Sequence, residues 1–177
     1  MKASVLPVIQ DHIKTMYDAR NGRVSRRDLA FFYGVPILVS IAYLIFAWGV
    51  RGLDNLLAAL SIMTGLLFNL LVLLFDTAVR TRDRDAIGKQ DPERVAHRYE
   101  LIHELQANIT YTLGVGLFTA VLLGAFSLAG IENAKRPWSA LVVVFLAHFV
   151  LLLGMLLKRL RAVFIAEFPR DPKVRVT

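Results

Sequence analysis

The sequence contains no cysteine, which excludes disulfide frameworks, thiolate metal sites and thiol chemistry. It also lacks a clear catalytic, metal-binding or cofactor-binding signature, so we expect neither an enzyme nor a bound cofactor or metal. Long stretches of the chain contain no charged residue. Over the whole sequence, 56% of the residues are hydrophobic and the mean hydropathy is +0.53. Soluble domains are usually about 45–50% apolar. The excess indicates that part of the chain lies in a bilayer.

Four apolar runs have the length needed to cross a hydrocarbon core of about 30 Å, which takes roughly 20 helical residues. None of them has Lys, Arg or Glu in its interior. The sequence therefore predicts an all-α polytopic membrane protein with four transmembrane helices. The predicted organisation is a cytoplasmic amphipathic helix (1–27), transmembrane helices at 28–50, 54–79, 108–131 and 137–158, a cytoplasmic helical hairpin (80–107) between the second and third of them, and a cytoplasmic tail (159–177).

The basic residues are distributed unevenly between the two sides of these helices. Of the 21 Lys and Arg, 18 fall in the N-terminal segment, in the 80–107 segment, or in the C-terminal tail counted together with Lys158 at its start. Segments rich in Lys and Arg stay in the cytoplasm. We therefore expect a multi-pass protein of the inner (cytoplasmic) membrane with both termini cytoplasmic. The two external turns are too short to form a receptor domain, so recognition is expected inside the cell or within the membrane.

The cytoplasmic segments carry several structural signals. Residues 4–20 put His12 and apolar side chains on one helix face, which could pack on the protein's own helices or lie on the membrane surface. The stretch from Ser25 to Asp28 predicts a helix N-cap. Pro36 lacks the N–H that would bond the carbonyl of Phe32, so it should disturb the first span.

The 80–107 segment is predicted to be helical on both sides of a break at Gly88. The second span can continue as helix to about Ala86, and Pro92 can open a helix that runs on into the third span. This hairpin is the expected docking surface for a cytosolic protein partner. Its basic residues could instead contact lipid headgroups, and a nucleotide or nucleic-acid ligand is the less favoured alternative. The candidate contact residues are Arg80, Arg82, Arg84, Arg94, Arg98, Tyr99 and Ile102.

Polar residues inside the spans are the next candidates, because polar groups in hydrocarbon usually face protein or water. Asn55, Asn69 and Asp76 fall near one face of the second span. They could line a pore, form a polar seam in an oligomer, or in the case of Asn69 make a hydrogen bond within one chain. His148, in the middle of the fourth span, could relay protons or act as a gate, or it could be a neutral histidine bonded to a neighbour.

Two further patterns concern helix packing and the cytoplasmic helix. Small residues at helical spacing in the third span allow close approach of another helix, within the chain or between copies. Arg98 and His103 have the R-x4-H spacing of HEPN-type ribonucleases, and Glu100 with His103 forms an E-x-x-H pair, but an exposed helix face explains both. The small-residue face consists of Thr112, Gly116, Gly124 and Ser127.

The layout favours a homo-oligomeric effector or channel-like protein that is regulated through its cytoplasmic face. Four short spans rarely make a complete transporter, whereas small and polar helix faces suit association between copies. Across the whole chain this architecture resembles small multispanning bacterial anti-phage proteins such as the membrane subunit of the Kiwa system. That resemblance implies a role in anti-phage defence with a soluble partner. The alternative is a non-conducting membrane anchor or scaffold that recruits a cytosolic enzyme.

Overall fold

The structure, a computed structural model, describes residues 6–18, 23–46, 50–87, 92–129 and 136–167. Most of these residues are helical, and a short antiparallel pairing near the N-terminus places Tyr17 opposite Val24. The elements are α1 (Leu6–Lys14), β1 (Tyr17–Asp18), β2 (Arg23–Val24), α2 (Arg26–Ile45), α3 (Leu53–Ile87), α4 (Pro92–Leu128) and α5 (Arg136–Glu167).

Helices α2 to α5 are long and apolar enough to cross a membrane. The prediction of an all-α protein with four such helices is therefore confirmed. Helix α5 also continues beyond residue 158, where the sequence predicted the last span to end, and stops at Glu167.

The long helices pack mainly in the order α3, α4, α5, α2. Helices α4 and α5 are central, and a third of the apolar stretch of each is buried, against 17% for α3 and 6% for α2. The core is built from side chains such as Leu105, Ile109 and Leu123 of α4 and Phe149 of α5, all of which are almost fully buried. Among the described residues, many large apolar side chains on the outer faces of α2 and α3 are exposed.

Local signals in the sequence explain how α2 and α3 begin. Ser25 is the N-cap of α2, and its hydroxyl accepts a hydrogen bond from the backbone N–H of Asp28 at 3.3 Å, which confirms the predicted cap. Between the two helices, Gly52 has a φ of 68°, in the left-handed region that residues with a Cβ rarely adopt. This glycine lets the chain turn directly into α3 at Leu53.

Helices α3 and α4 both extend well beyond a membrane-spanning length. Helix α3 continues to Ile87, and α4 starts at Pro92 and runs unbroken to Leu128, as the sequence predicted. Residues 88–91 lie outside the described residues. The arrangement of the two extensions as a cytoplasmic hairpin therefore stays a prediction.

Helix α1 is shorter than the 4–20 helix expected from the sequence. It ends at Lys14, where the Thr15 hydroxyl donates to the carbonyl of His12 at 2.7 Å and the chain leaves the helix. Met16 then turns inward and is 4% exposed, packed against Leu152 and Met155 of α5. Burial of this side chain and the strand pairing that follows stop the helix. Helix α1 packs on α4, and we call this end of the bundle the α1 end.

Candidate functional site

Apart from Ser40 and Ser139, whose hydroxyls bond to the backbone at Ala140 and Val50, the buried polar side chains of the described residues fall into two groups. The hydroxyls of Thr64, Thr112 and Thr119 each donate to the carbonyl four residues earlier in their own helix, so they are satisfied locally. His12, Asn108 and His148 instead bond to other elements of the fold. This second group lies at the α1 end and forms a network that joins α1, α2, α4 and α5.

His12 and Asn108 connect α1 to α4. The Nδ1 atom of His12 is 2.7 Å from Oδ1 of Asn108. Asn108 donates from Nδ2 to the carbonyl of Glu104 at 2.6 Å, so its Oδ1 is an acceptor and the proton of this bond belongs to His12 Nδ1. The Thr15 hydroxyl, just after the end of α1, also contacts this Oδ1 atom, at a distance of 3.0 Å.

The imidazole of His12 is fully buried and stacked on Tyr111, with ring centroids 3.9 Å apart and planes 9° from parallel. Its Nε2 atom has no hydrogen-bond partner among the described residues. Burial lowers the pKa of His12 from 6.5 to about 4, against the opposing effect of the Asn108 hydrogen bond, and the positive charges that His148 and Arg159 can carry lower it further. His12 is therefore neutral at physiological pH, so its buried position holds no charge.

Arg159 adds charged interactions to the contact between α1 and α4. Its guanidinium donates from one nitrogen to Glu104 Oε2 at 2.7 Å and from another to the carbonyl of Thr15. The side chain is only 19% exposed, so the ion pair is partly shielded from water. A fork of two donors on one planar group ties α5 to α4 and to the end of α1 at once.

His148 satisfies a backbone group that the sequence leaves open in α2. Pro36 has no N–H, so the carbonyl of Phe32 has no helical partner. Nδ1 of His148 lies 3.1 Å from that carbonyl oxygen and donates to it. Because Nδ1 carries the proton, Nε2 is an acceptor for the hydroxyl of Tyr111, 3.2 Å away. This histidine therefore binds α5 to both α2 and α4.

Tyr33 completes the network from α2. Its hydroxyl is 3.2 Å from the hydroxyl of Tyr111, and its ring lies 5.0 Å from that of His148. Since Tyr111 donates to His148, Tyr33 is left to donate to Tyr111. The chain of donors then ends on the backbone carbonyl of Phe32. Such an arrangement fixes the rotation of each helix.

Nothing in the described ranges 6–18, 23–46, 50–87, 92–129 and 136–167 brings three or more His, Asp or Glu side chains together as metal ligands. His103, half of the E-x-x-H pair, is exposed on α4, and Glu100 faces His97 at 3.9 Å on the surface. The motif therefore lies on a surface helix face with no further ligand beside it in the described part of the chain.

The polar residues predicted for the spans do not come together. Asn55, Asn69 and Asp76 are all exposed on α3, whereas His148 is buried in the network at the α1 end. Asp76 forms a salt bridge with Arg80, one turn further along α3, in which Oδ2 of Asp76 lies 3.0 Å from Nε of Arg80. Among the described residues no hydrogen bond holds the Asn69 side chain, so they provide no partner for the alternative of a bond inside one chain.

The small-residue face of α4 divides among several environments. Thr112 is fully buried, and Gly116 lies where a Cβ would come within 2.8 Å of the Thr64 hydroxyl on α3 and 2.9 Å of the Phe149 ring on α5. At Gly124 nothing comes within 4 Å of a Cβ. Ser127 is exposed and donates to Asp54 of α3 at 2.7 Å. Close approach at Gly116 thus serves packing within the chain.

The candidate contact residues of the 80–107 segment are also in different surroundings. Arg80 and Arg82 are exposed, and Arg98 and Tyr99 are half-buried. Ile102 is 8% exposed and belongs to the core with Leu74, so it is not available to a separate partner. Its apolar character is used to pack α4 on α3. The side chains of Arg84 and Arg94 lie outside the described residues.

Sequence reasoning missed most of the network. It placed His12 on an apolar face without giving it a partner, and it gave Asn108, Tyr111 and Arg159 no role. A usable signal was present, because one histidine in an otherwise apolar stripe requires a buried hydrogen-bond partner.

Compared with known proteins, the chain matches no family model, and searches of the curated proteins and of the solved structures find no similar protein.

Proposed function

We propose that this chain is a self-associating membrane effector of channel-like type, assembled through the exposed face of α3 and controlled from its cytoplasmic side. The observation that carries the proposal is the position of Asn69. This amide is exposed on α3, and it has no hydrogen-bond partner among the described residues. A membrane-spanning helix leaves such a group in lipid only at a cost.

The depth of Asn69 makes that cost large. Ten residues separate it from Val79, the predicted inner end of the second span, which is about 15 Å at 1.5 Å per residue. That is near the middle of a hydrocarbon core about 30 Å thick. An amide both donates and accepts, so the Asn69 side chains of two copies can bond to each other across a symmetric interface.

The rest of this face suits a helix–helix contact. Ile62, Leu66 and Leu73 lie on the same stripe of α3 as Asn69, and each is more than 60% exposed. Asp76 and Arg80, paired with each other, continue the stripe where the span ends. We call residues 62, 66, 69 and 73 the α3 face. Burial of this face against a second copy would satisfy the amide and cover its apolar neighbours.

Helix α2 is more exposed than α3, but its outer face gives no reason for a protein contact. Its most exposed residues include Leu38 and Ile45, which are well suited to lipid. Its buried hydroxyl, Ser40, already donates to the carbonyl of Ala140 at 2.8 Å. The α3 face is therefore the better candidate for self-association.

Control from the cytoplasm is supported by the charge distribution and by the α1 network. The basic segments 1–27, 80–107 and 159–177 orient the α1 end inward by the positive-inside rule. At this end, His12 and Arg159 hold α1 on the bundle. A cytosolic protein that binds the 80–107 segment would act beside this contact, at the ends of the helices that form the assembly.

The absence of native cysteine makes self-association directly testable. A single Leu73→Cys variant, oxidised in native membranes, should form a disulfide-linked dimer. The matched control is Leu38→Cys, on the outer face of α2 and similarly exposed. Adding Asn69→Leu to Leu73→Cys should reduce the cross-linked fraction. Equal cross-linking at positions 38 and 73 would exclude the α3 face as the interface.

Conduction needs a separate experiment in liposomes. The channel-like function predicts an ion flux through the purified protein that is lost in Asn69→Leu and in Asp76→Leu. Thr77→Val is the control, because its hydroxyl is already satisfied by the carbonyl of Leu73 within α3. No flux from the wild-type protein would favour the alternative of a non-conducting anchor that recruits a cytosolic enzyme.

The role in anti-phage defence rests on the resemblance in layout alone. It predicts that phage form fewer plaques on cells that express the wild-type chain with its soluble partner than on cells that express the Asn69→Leu variant with the same partner. Equal plaque numbers would remove this role and would leave self-association untouched.

A further inference from the structure

A cleft of about 630 Å³ opens between α2 and α5 at the α1 end. This volume falls in the range of about 300–1,000 Å³ that is typical of ligand cavities. Apolar side chains make up much of its lining, among them Phe31 of α2 and Val150 and Leu151 of α5. Phe31 and Val150 are each more than half exposed, so the cleft is open towards the surrounding acyl chains when the helices span a membrane.

The lining of the cleft also includes four charged side chains. Glu104 and Arg159 neutralise each other through their 2.7 Å ion pair. Asp28 of α2 and Lys158 of α5 remain, one from each wall, and both are exposed. Neither of them has a hydrogen bond or an ion pair with another side chain in the described part of the molecule. Among the described residues, the cleft thus combines one unpaired negative group and one unpaired positive group with apolar side chains.

We propose that this cleft binds one phospholipid with an ethanolamine headgroup. The phosphate accepts hydrogen bonds from the Lys158 ammonium, and the headgroup amine donates to the Asp28 carboxylate. One acyl chain lies between Phe31 and Val150. A purely anionic headgroup would place its charge beside Asp28 with no compensating amine, and a choline headgroup has no N–H to donate.

This site does not depend on how copies of the chain assemble. It requires only that α2 and α5 span the membrane and that the cleft remains open. The α3 face lies on a different helix, so loss of lipid and loss of self-association are measured with different variants.

Gly154 allows the cleft to be blocked without disturbing the fold. It lines the cleft, and a Cβ at this position meets nothing within 4 Å. In Gly154→Leu, the added side chain therefore occupies the space in which the lipid would bind. Gly114→Leu is the matched control, because Gly114 on α4 is equally open and does not line the cleft.

The two charged groups are tested separately. Lys158→Gln removes the phosphate contact, and Asp28→Asn removes the partner of the amine. Arg161→Gln is the control for loss of a basic residue, since Arg161 is exposed one turn further along α5 and does not line the cleft. Unchanged melting temperatures in lipid-free detergent would show that the variants fold.

The experiment is native mass spectrometry of the full chain, mixed in detergent with equal amounts of phosphatidylethanolamine, phosphatidylglycerol and phosphatidylcholine. We expect one phosphatidylethanolamine per chain. Gly154→Leu and Lys158→Gln should bind it about tenfold more weakly, the change expected when one strong contact is lost. Asp28→Asn should abolish the preference over phosphatidylglycerol. Equal binding of all three lipids by the wild type, or full binding by Gly154→Leu, would overturn the proposal.

Discussion

His12 and Asn108 are 96 residues apart in sequence, yet a 2.7 Å hydrogen bond joins them in the interior of the protein. This bond places a fully buried, neutral imidazole against α4, and its other ring nitrogen has no partner in the described part of the chain. Helix α1 has only nine residues and would be marginal alone, so its position depends on this contact and on the Arg159 bonds next to it. The docking of α1 should therefore respond to anything that charges His12.

Acidification should release α1 from the bundle. The pKa of His12 is about 4 when it is docked and 6.5 in its ordinary state, so the docked form binds fewer protons between these values. Docking is accordingly complete above pH 6.5 and weakens as the pH falls towards 4, by about 2 kcal/mol at pH 5. The groups that face His12 are Tyr111 and Asn108 of α4, His148 and Arg159 of α5, and Glu104, which is neutralised by Arg159.

A nitroxide attached at the exposed position of Gln10→Cys can measure this release, because the chain has no other cysteine. Its mobility should increase between pH 6.5 and pH 4. In a His12→Leu background, which keeps an apolar contact with Tyr111 but cannot titrate, the pH dependence should disappear. A response of the same size in both backgrounds would show that His12 is not the group responsible.

Removing Asn108 should also loosen α1, at neutral pH. Asn108→Leu leaves the N–H of His12 buried without an acceptor, and an unsatisfied buried donor costs about 1–3 kcal/mol. The same nitroxide should then be mobile at pH 7.5. Gln106→Leu is the control, since Gln106 is exposed on the same helix. An immobile label in Asn108→Leu would show that the Arg159 contacts alone hold α1.

The sequence was sufficient to predict the membrane helices because span length and composition are local properties. The cap at Ser25, the start of α4 at Pro92 and the free carbonyl at Phe32 were predictable for the same reason. The partner of that carbonyl was not. His148 reaches it only because α5 packs on α2 with a particular rotation, which no local pattern encodes.

The end of α1 shows a second limit. Apolar periodicity through residues 4–20 predicted one longer helix, but burial of Met16 and the pairing of Tyr17 with Val24 end it at Lys14. Tertiary contacts of this kind override local helix preference. The same holds for Asn69, because the sequence identified the polar residue but could not show that the chain's own helices leave it uncovered.

The close approach at Gly116 predicts a strong sensitivity to a single methyl group. Gly116→Ala would put a Cβ 2.8 Å from the Thr64 hydroxyl, which is held by its bond to Leu60, and 2.9 Å from Phe149. We expect a loss of about 1–3 kcal/mol in the free energy of unfolding. Gly124→Ala, with open space around its Cβ, should be neutral or more stable by up to about 1 kcal/mol. Thermal unfolding in detergent compares the two, and equal melting temperatures would contradict the packing described here.

The bond between His148 and the carbonyl of Phe32 predicts an energetic coupling between His148 and Pro36. In the wild type, His148→Phe leaves that carbonyl without a partner and should lower the free energy of unfolding by about 1–3 kcal/mol. Pro36→Ala restores a backbone N–H that can bond the carbonyl within α2, so His148→Phe should then cost about 1 kcal/mol less. A double-mutant cycle in detergent measures this difference. The Tyr111 bond is lost in both backgrounds and cancels, so equal costs would mean that His148 does not compensate for the proline.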